Sequence, residues 1–297
     1  MFTAKWKRII TAGLSVSMAA LLLAGCGGND SGSSKTSDKK EVKLSYVEWD
    51  TEVASTNVVA TVLRDLGYKV EVTPLDNAVM WQAVATGKSD GMVAAWLPTT
   101  HSAQYKKYGK DVENLGPNLK GAKVGLVVPQ YMKADSIADL KDQAGKKITG
   151  IEAGAGVCMK AENAIKEYPN LNGWELETSS SGAMVTALGR AIKDKKDIII
   201  TGWTPHWMFA TYKLKYLEDP KGVFGKEEQI HTIVRKDLKK DMPDVYTVLD
   251  NFNWTVEDIN AVMLDISKGM KPEEAAQKWV KAHPDKVAEW TKGISKK

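Results

Sequence analysis

Three tryptophans stand where strand-like runs end. Trp49 lies in Tyr46-Val-Glu-Trp-Asp-Thr-Glu52, Trp96 in Gly91-Met-Val-Ala-Ala-Trp-Leu-Pro-Thr-Thr-His101, and Trp203 in Ile198-Ile-Ile-Thr-Gly-Trp-Thr-Pro-His-Trp207. In open α/β sheets, ligands collect beyond the carboxyl ends of the strands, so these indoles face the place such a fold reserves for binding. Two chemistries use several indole faces at once: stacking on a sugar, or boxing an organic cation. A quaternary ammonium has no N–H to hydrogen-bond, and each electron-rich face attracts it by about 0.5–2 kcal/mol when water is excluded. Three faces fall short of the roughly 8 kcal/mol of micromolar binding, so a second anchor is required. The turn Gly150-Ile-Glu-Ala-Gly-Ala-Gly-Val-Cys-Met159 offers one, because free amides where a strand enters a helix can cradle an anion. Amides at Gly156 and Val157, with His101 as a further donor, suit a carboxylate. Box and amides together describe a zwitterion.

The elements that must hold these residues follow from hydrophobic patterning. Strand-like runs at 42–47, 70–73, 92–96 and 123–128 alternate with helical periodicity at 53–66 and 78–86. The pattern returns with strands at 147–151, 174–178 and 198–201 and helices at 157–168 and 183–193. Such alternation predicts parallel sheets of βαβ units. Shifting the chain by 107 superposes Lys88, Asp90, Trp96, Pro98, Ala103, Tyr105 and Lys106 on Lys195, Asp197, Trp203, Pro205, Ala210, Tyr212 and Lys213. Seven identities in 21 positions exceed chance, so two similar α/β lobes flanking a cleft are expected. The same shift sets Trp49 opposite Gly156. The expected division is 41–128 as part of the first lobe, 129–234 as the second, and 235–297 as a return to the first with C-terminal helices.

The N-terminus reads as a processing segment. Lys5, Lys7 and Arg8 precede an apolar run of 16 residues from Ile9 to Ala24, short of the roughly 20 that span a bilayer. It ends in Leu23-Ala-Gly-Cys26, which resembles the lipobox of bacterial lipoproteins. Residues 1–25 are therefore expected to be a signal peptide, and Cys26 to carry a lipid anchor on the outer face of the cell membrane. Residues 26–40, rich in Gly, Ser and Lys, form the anchor and a flexible tether. The bland alternative is a cleaved signal with an incidental cysteine. With Cys26 lipidated, Cys158 has no disulfide partner and reads as a small packed side chain.

Charge narrows the function classes. The chain has 41 basic and 37 acidic residues, and without the first 25 the balance is 38 to 37. That surplus is too small for a nucleic-acid binder. The histidines His206, His231 and His283 have no zinc spacing, the glycine turn lacks a nucleotide fingerprint, and no Gly-x-Ser-x-Gly or His-Glu-x-x-His occurs. No cofactor, metal or enzymatic reaction is expected. Ten tryptophans against four phenylalanines need uses beyond a site, and Trp174, Trp254, Trp279 and Trp290 read as core. Glu48, Asp50 and Glu52 could tune a cation site or cap the helix that follows, and are not assigned to the site.

The stretches Tyr46–Asn57, Ala94–His101, Gly125-Leu-Val-Val-Pro-Gln-Tyr-Met132 and Thr201-Gly-Trp-Thr-Pro-His-Trp-Met-Phe209 resemble the glycine betaine-binding lipoproteins of osmoprotective ABC importers, over residues 42–296. The resemblance implies a two-lobed type II periplasmic-binding-protein-like fold and a tryptophan prism at Trp49, Trp96 and Trp203. It implies carboxylate contacts from the amides of Gly156 and Val157 and the side chain of His101, and an ABC permease as partner. It places the half bearing Trp49, Trp96 and His101 first, in a family whose halves occur in either order. Val157-Cys158 is a local departure that backbone donors tolerate. The implied ligand is glycine betaine, with proline betaine as a relative; a sugar stacked on the same tryptophans is the alternative.

Overall fold

The computed structural model describes residues 41–294. The readings on the signal segment, Cys26 and the tether lie outside them. Strand β1 (Glu41–Tyr46) begins with Glu41 and Lys43 exposed and Val42 and Leu44 buried, the period of two that a pleated strand imposes. Helix α1 (Asp50–Asp65) follows and is almost wholly buried, from Thr51 to Leu63. It stops before Gly67, whose φ of +90° a side chain would resist. Strand β2 (Lys69–Pro74) runs parallel to β1 with Glu41 opposite Lys69. Helix α2 (Asn77–Ala85) leads to β3 (Gly91–Leu97), in which all seven residues are buried, and then to α3 (Ser102–Tyr108).

Strand β4 (Val112–Pro129) is 18 residues long, three times the strand expected at 123–128. After it come β5 (Lys147–Thr149), α4 (Gly156–Glu167), β6 (Glu175–Glu177), α5 (Ser181–Asp194) and β7 (Ile200–Thr204). These form the second βαβαβ unit, with β5 parallel to both β6 and β7. A short helix α6 (Met208–Thr211) and strand β8 (Leu214–Tyr216) precede β9 (Glu228–Arg235). The rest is helical: α7 (Leu238–Asp241), α8 (Pro243–Asn251), α9 (Val256–Ser267), α10 (Pro272–Ala282) and α11 (Pro284–Trp290). Thr255 caps α9 reciprocally with Asp258, and proline opens α8, α10 and α11, where its missing N–H costs nothing.

The strands order as β2-β1-β3-β9-β4-β7-β5-β6, with β8 beside β4. Only the βαβ pairs are parallel. β3–β9, β9–β4, β4–β7 and β4–β8 are antiparallel, so the expectation of parallel sheets gives way to mixed pairing. The reason is that the chain crosses between its halves as extended strand rather than through a helix. β4 pairs with β9 along Val112–Ala122 and with β7 along Lys123–Val127, and thus belongs to both halves. The chain is back beside β3 from Gln229, earlier than the 234/235 boundary read from the sequence.

Packing accounts for many of the tryptophans. Trp279 stacks on Trp290 at 5.6 Å, Trp254 meets Trp279 edge-on at 5.9 Å, and Phe252 meets Trp290 edge-on at 4.9 Å. This aromatic cluster holds the C-terminal helices together. Trp81 and Trp174 are also buried, and Cys158 is a free thiol sealed in the core.

Candidate functional site

The strand ends bring the expected residues to one place. Trp49 is the residue that opens α1, Trp96 lies in β3 and Trp203 in β7. Their indoles line a single cavity with Thr100, Val124, Ile151, Ala155, Gly156 and Val157. The cavity measures about 280 Å3 counted to its open mouth. All three indoles are shielded from solvent, at 3–6% exposure. The lining contains no charged side chain and, apart from Thr100, no hydroxyl or amide side chain. The Leu97–Pro98 and Thr204–Pro205 bonds that follow Trp96 and Trp203 are both cis.

Gly156 and Val157 form the first turn of α4, and Ala155 before them supplies no side-chain cap. The first amides of a helix have no intrahelical acceptor and sit at the positive end of its dipole, so this corner favours an anion. The halves meet closely here. A Cβ on Gly156 would lie 2.4 Å from the Thr100 carbonyl oxygen, so only glycine allows this approach. Thr100 is itself held, because the amides of Thr99 and Thr100 both donate to Glu228 Oε1 at 2.7 Å and the Thr100 hydroxyl donates to the same carboxylate. From α4, Lys160 donates to Thr99 Oγ1 at 3.2 Å and to the Phe224 carbonyl at 3.1 Å.

His101 is absent from the lining and lies fully buried between contacts with Trp49 and Trp81, ring centroids 5.8 and 6.1 Å away. Its Nδ1 accepts the Trp96 amide hydrogen at 3.1 Å, so the ring proton belongs on Nε2, which has no partner among the described residues. Burial depresses its pKa to about 3, leaving a neutral imidazole with a free donor.

The acids left unassigned by sequence take definite places. The N-cap position of α1 is held by Trp49, whose side chain makes no cap hydrogen bond. The Trp96 indole donates to Glu52 Oε1 at 2.7 Å, and the Trp49 indole donates to Glu152 Oε2 at 3.0 Å. Asp50 accepts from the Trp207 indole at 2.6 Å and the Ser181 hydroxyl at 2.9 Å, and lies 3.3 Å from His206 Nε2. Burial would raise the Asp50 pKa, but His206, Trp207 and Ser181 outweigh it and bring it to about 2. Trp203 differs, its indole N–H being buried without a partner among the described residues and its ring packed T-shaped against His206 at 4.7 Å. Sequence reasoning raised Glu52 as an acid that could tune a cation site without assigning it there, and missed Glu152 and Thr100.

Among the described residues, no group of His, Cys, Asp and Glu could hold a metal ion, and no helix is long and apolar enough to cross a membrane.

Residues 40–282 match the family model described as the substrate binding domain of ABC-type glycine betaine transport system. The glycine betaine/carnitine transport binding protein GbuC of Listeria monocytogenes is 55% identical over 163 residues, 54% of either chain, so the match spans about half the length of that relative. The glycine betaine/proline betaine-binding periplasmic protein of Escherichia coli is 23% identical over 80% of this chain and 85% of its own. Among solved structures, lactococcal OpuAC, closed and complexed with glycine betaine, is 60% identical with a TM-score of 0.83, covering 85% of this chain and 99% of that one. An ABC-transporter choline binding protein in complex with choline is 30% identical with a TM-score of 0.81, covering 87% of this chain and 94% of that one. The fold is thus that of the OpuAC-type periplasmic binding proteins, and the chain belongs to the family of substrate-binding domains of ABC-type glycine betaine transport systems.

Proposed function

We propose that this chain captures glycine betaine outside the cell and hands it, without chemistry, to the permease of an ABC importer. The observation that carries the reading is that indoles from both halves and the uncapped start of α4 line the same cavity. Trp49, Trp96 and Trp203 enclose the trimethylammonium. The amides of Gly156 and Val157 and the Nε2–H of His101 receive the carboxylate. Charge-assisted hydrogen bonds at that end add the energy that cation–π contacts alone lack. The apolar lining disfavours a sugar, whose hydroxyls need several polar partners when buried. Cys26, outside the described residues, is proposed as the lipid attachment that keeps the protein at the outer face of the membrane.

Calorimetric titration of the protein with glycine betaine, choline, dimethylglycine and an oligosaccharide tests the reading. Betaine is expected to saturate one site. Choline binds less well for want of the carboxylate, dimethylglycine less well because its N–H is better hydrated, and the sugar gives no heat. A silent betaine titration, or a sugar binding in its place, would overturn the assignment.

His101 has its own signature. His101→Phe removes the free donor and is expected to weaken betaine about tenfold while leaving choline within about twofold. A parallel loss for both ligands would show that His101 shapes the box rather than meeting the carboxylate.

A further inference from the structure

The wall of the cavity is backed by an acid that the capture scheme does not use. Glu52 lies in the first turn of α1 and is 0% exposed. One carboxylate oxygen accepts the Trp96 indole N–H at 2.7 Å, and the other accepts the Thr51 hydroxyl. Both donors are neutral. Among the described residues no lysine, arginine or histidine lies in ion-pair range of Glu52. A buried carboxylate without a cationic partner is costly, and folds generally retain one only where something repays it. Burial raises its pKa to about 7 and Asp50 acts in the same sense, against the hydrogen bonds from Thr51 and Trp96. The cation that would balance this carboxylate is absent from the protein but present in a ligand lying against the Trp96 ring.

We propose that Glu52 is a positioning and selectivity residue of the box. Through the Trp96 N–H it fixes the plane of that indole, and its charge favours a permanently cationic headgroup over a neutral one of the same shape. The inference rests on the betaine reading. It adds that betaine capture is coupled to the ionisation of an acid that never touches the ligand. A carboxylate bound at the indole N–H edge pushes electron density onto the ring faces and adds its own field through the low-dielectric protein beside the box. Reciprocally, a cation held in the box stabilises the ionised acid, so binding near neutral pH releases a proton.

Two measurements test this. The first compares wild type with Glu52→Gln, which keeps a hydrogen-bond acceptor for Trp96 and removes the charge. The probes are glycine betaine, choline and 3,3-dimethylbutanoate, the betaine analogue in which a neutral tert-butyl group replaces the trimethylammonium and the carboxylate is kept. At pH 8 the variant is expected to bind betaine and choline about five- to tenfold more weakly, with no loss for 3,3-dimethylbutanoate. Wild-type affinity for betaine should fall as pH drops from 8 to 5.5 and Glu52 takes up a proton. The other titratable groups around the box include Asp50 on the same helix, His101 beside Trp49, His206 against Asp50, Glu152 at the edge of Trp49, and Glu228 and Lys160 on the Thr99–Thr100 turn. Their contributions persist in Glu52→Gln, so the difference between the two profiles belongs to Glu52. Equal losses for all three probes, or no loss for any, would overturn the proposal.

The second measurement needs no variant. Calorimetry of betaine binding at pH 7 in buffers of different ionisation heat reads the protons exchanged. A release of about 0.3–0.4 proton per betaine is expected for a group with its pKa near that pH and a charge worth five- to tenfold in affinity. The absence of release would overturn the proposal while leaving betaine capture intact, whereas a wild-type protein that does not bind betaine at all would remove the functional reading beneath it.

Discussion

Replacing Gly156 by alanine is expected to weaken betaine binding by about a hundredfold, with little change in the melting temperature of the ligand-free protein. The added methyl would lie 2.4 Å from the Thr100 carbonyl oxygen and 2.5 Å from its Cγ2. Thr100 cannot simply retreat, because its amide and hydroxyl are held by the buried Glu228 carboxylate. Gly156 also lies at the start of a helix rather than in the left-handed region, so alanine is compatible with its backbone. The clash is relieved by moving the two halves apart, which leaves each half folded but withdraws the α4 amides from the indoles. Calorimetry paired with thermal melting separates these effects. Unchanged affinity would mean that the approach of Thr100 to α4 is not needed for capture, and a collapse of the melting temperature would mean that Gly156 serves the fold first.

The second large effect is expected at Trp203. Trp203→Ala should cost about 1–2 kcal/mol of betaine binding or more, a factor of about 5 to 30, with the fold retained. Trp203 is the cleanest of the three walls to remove. Its N–H has no partner among the described residues, so truncation orphans no acceptor there, whereas removing Trp96 or Trp49 strips a donor from Glu52 or Glu152. For the same reason Trp203→Phe should be well tolerated by the fold and keep part of the affinity, as a smaller face in the same place. A titration that finds the alanine variant as tight as wild type would take Trp203 out of the box and leave two indoles to account for the ligand.

The indoles at the strand ends were legible because tryptophan is rare, because two of them repeat at a fixed offset, and because the fold class places strand ends at a cleft. The amides at Gly156 and Val157 were legible for a similar reason, since a glycine turn entering a helix has few local ways to satisfy its donors. The first part of β4 was not. Asn114, Gly116, Pro117 and Gly121 read as turn residues, and the structure accommodates them through register shifts against β9 at 114/116, 117/119 and 120/122. Mixed pairing was missed with it, because the direction of a strand crossing between halves leaves no trace in periodicity. The carboxylates behind the box were hidden for a different reason. Acids in the first turn of a helix are commonplace for electrostatic reasons, and whether Glu52 faces solvent or an indole is decided by β3, more than forty residues away. His101 shows the same limit, since sequence marks it as a donor but cannot say which nitrogen is left free.

Strand β4 carries a consequence for anyone dividing the molecule. Its residues Val112–Ala122 complete the ladder beside β9, and Lys123–Val127 complete the one beside β7. Cutting the gene anywhere within that strand would give fragments that each end in a raw sheet edge, with unpaired amides and carbonyls inviting aggregation. The two halves resemble one another in sequence, yet they are expected to melt in one cooperative step and to resist being produced as separate pieces.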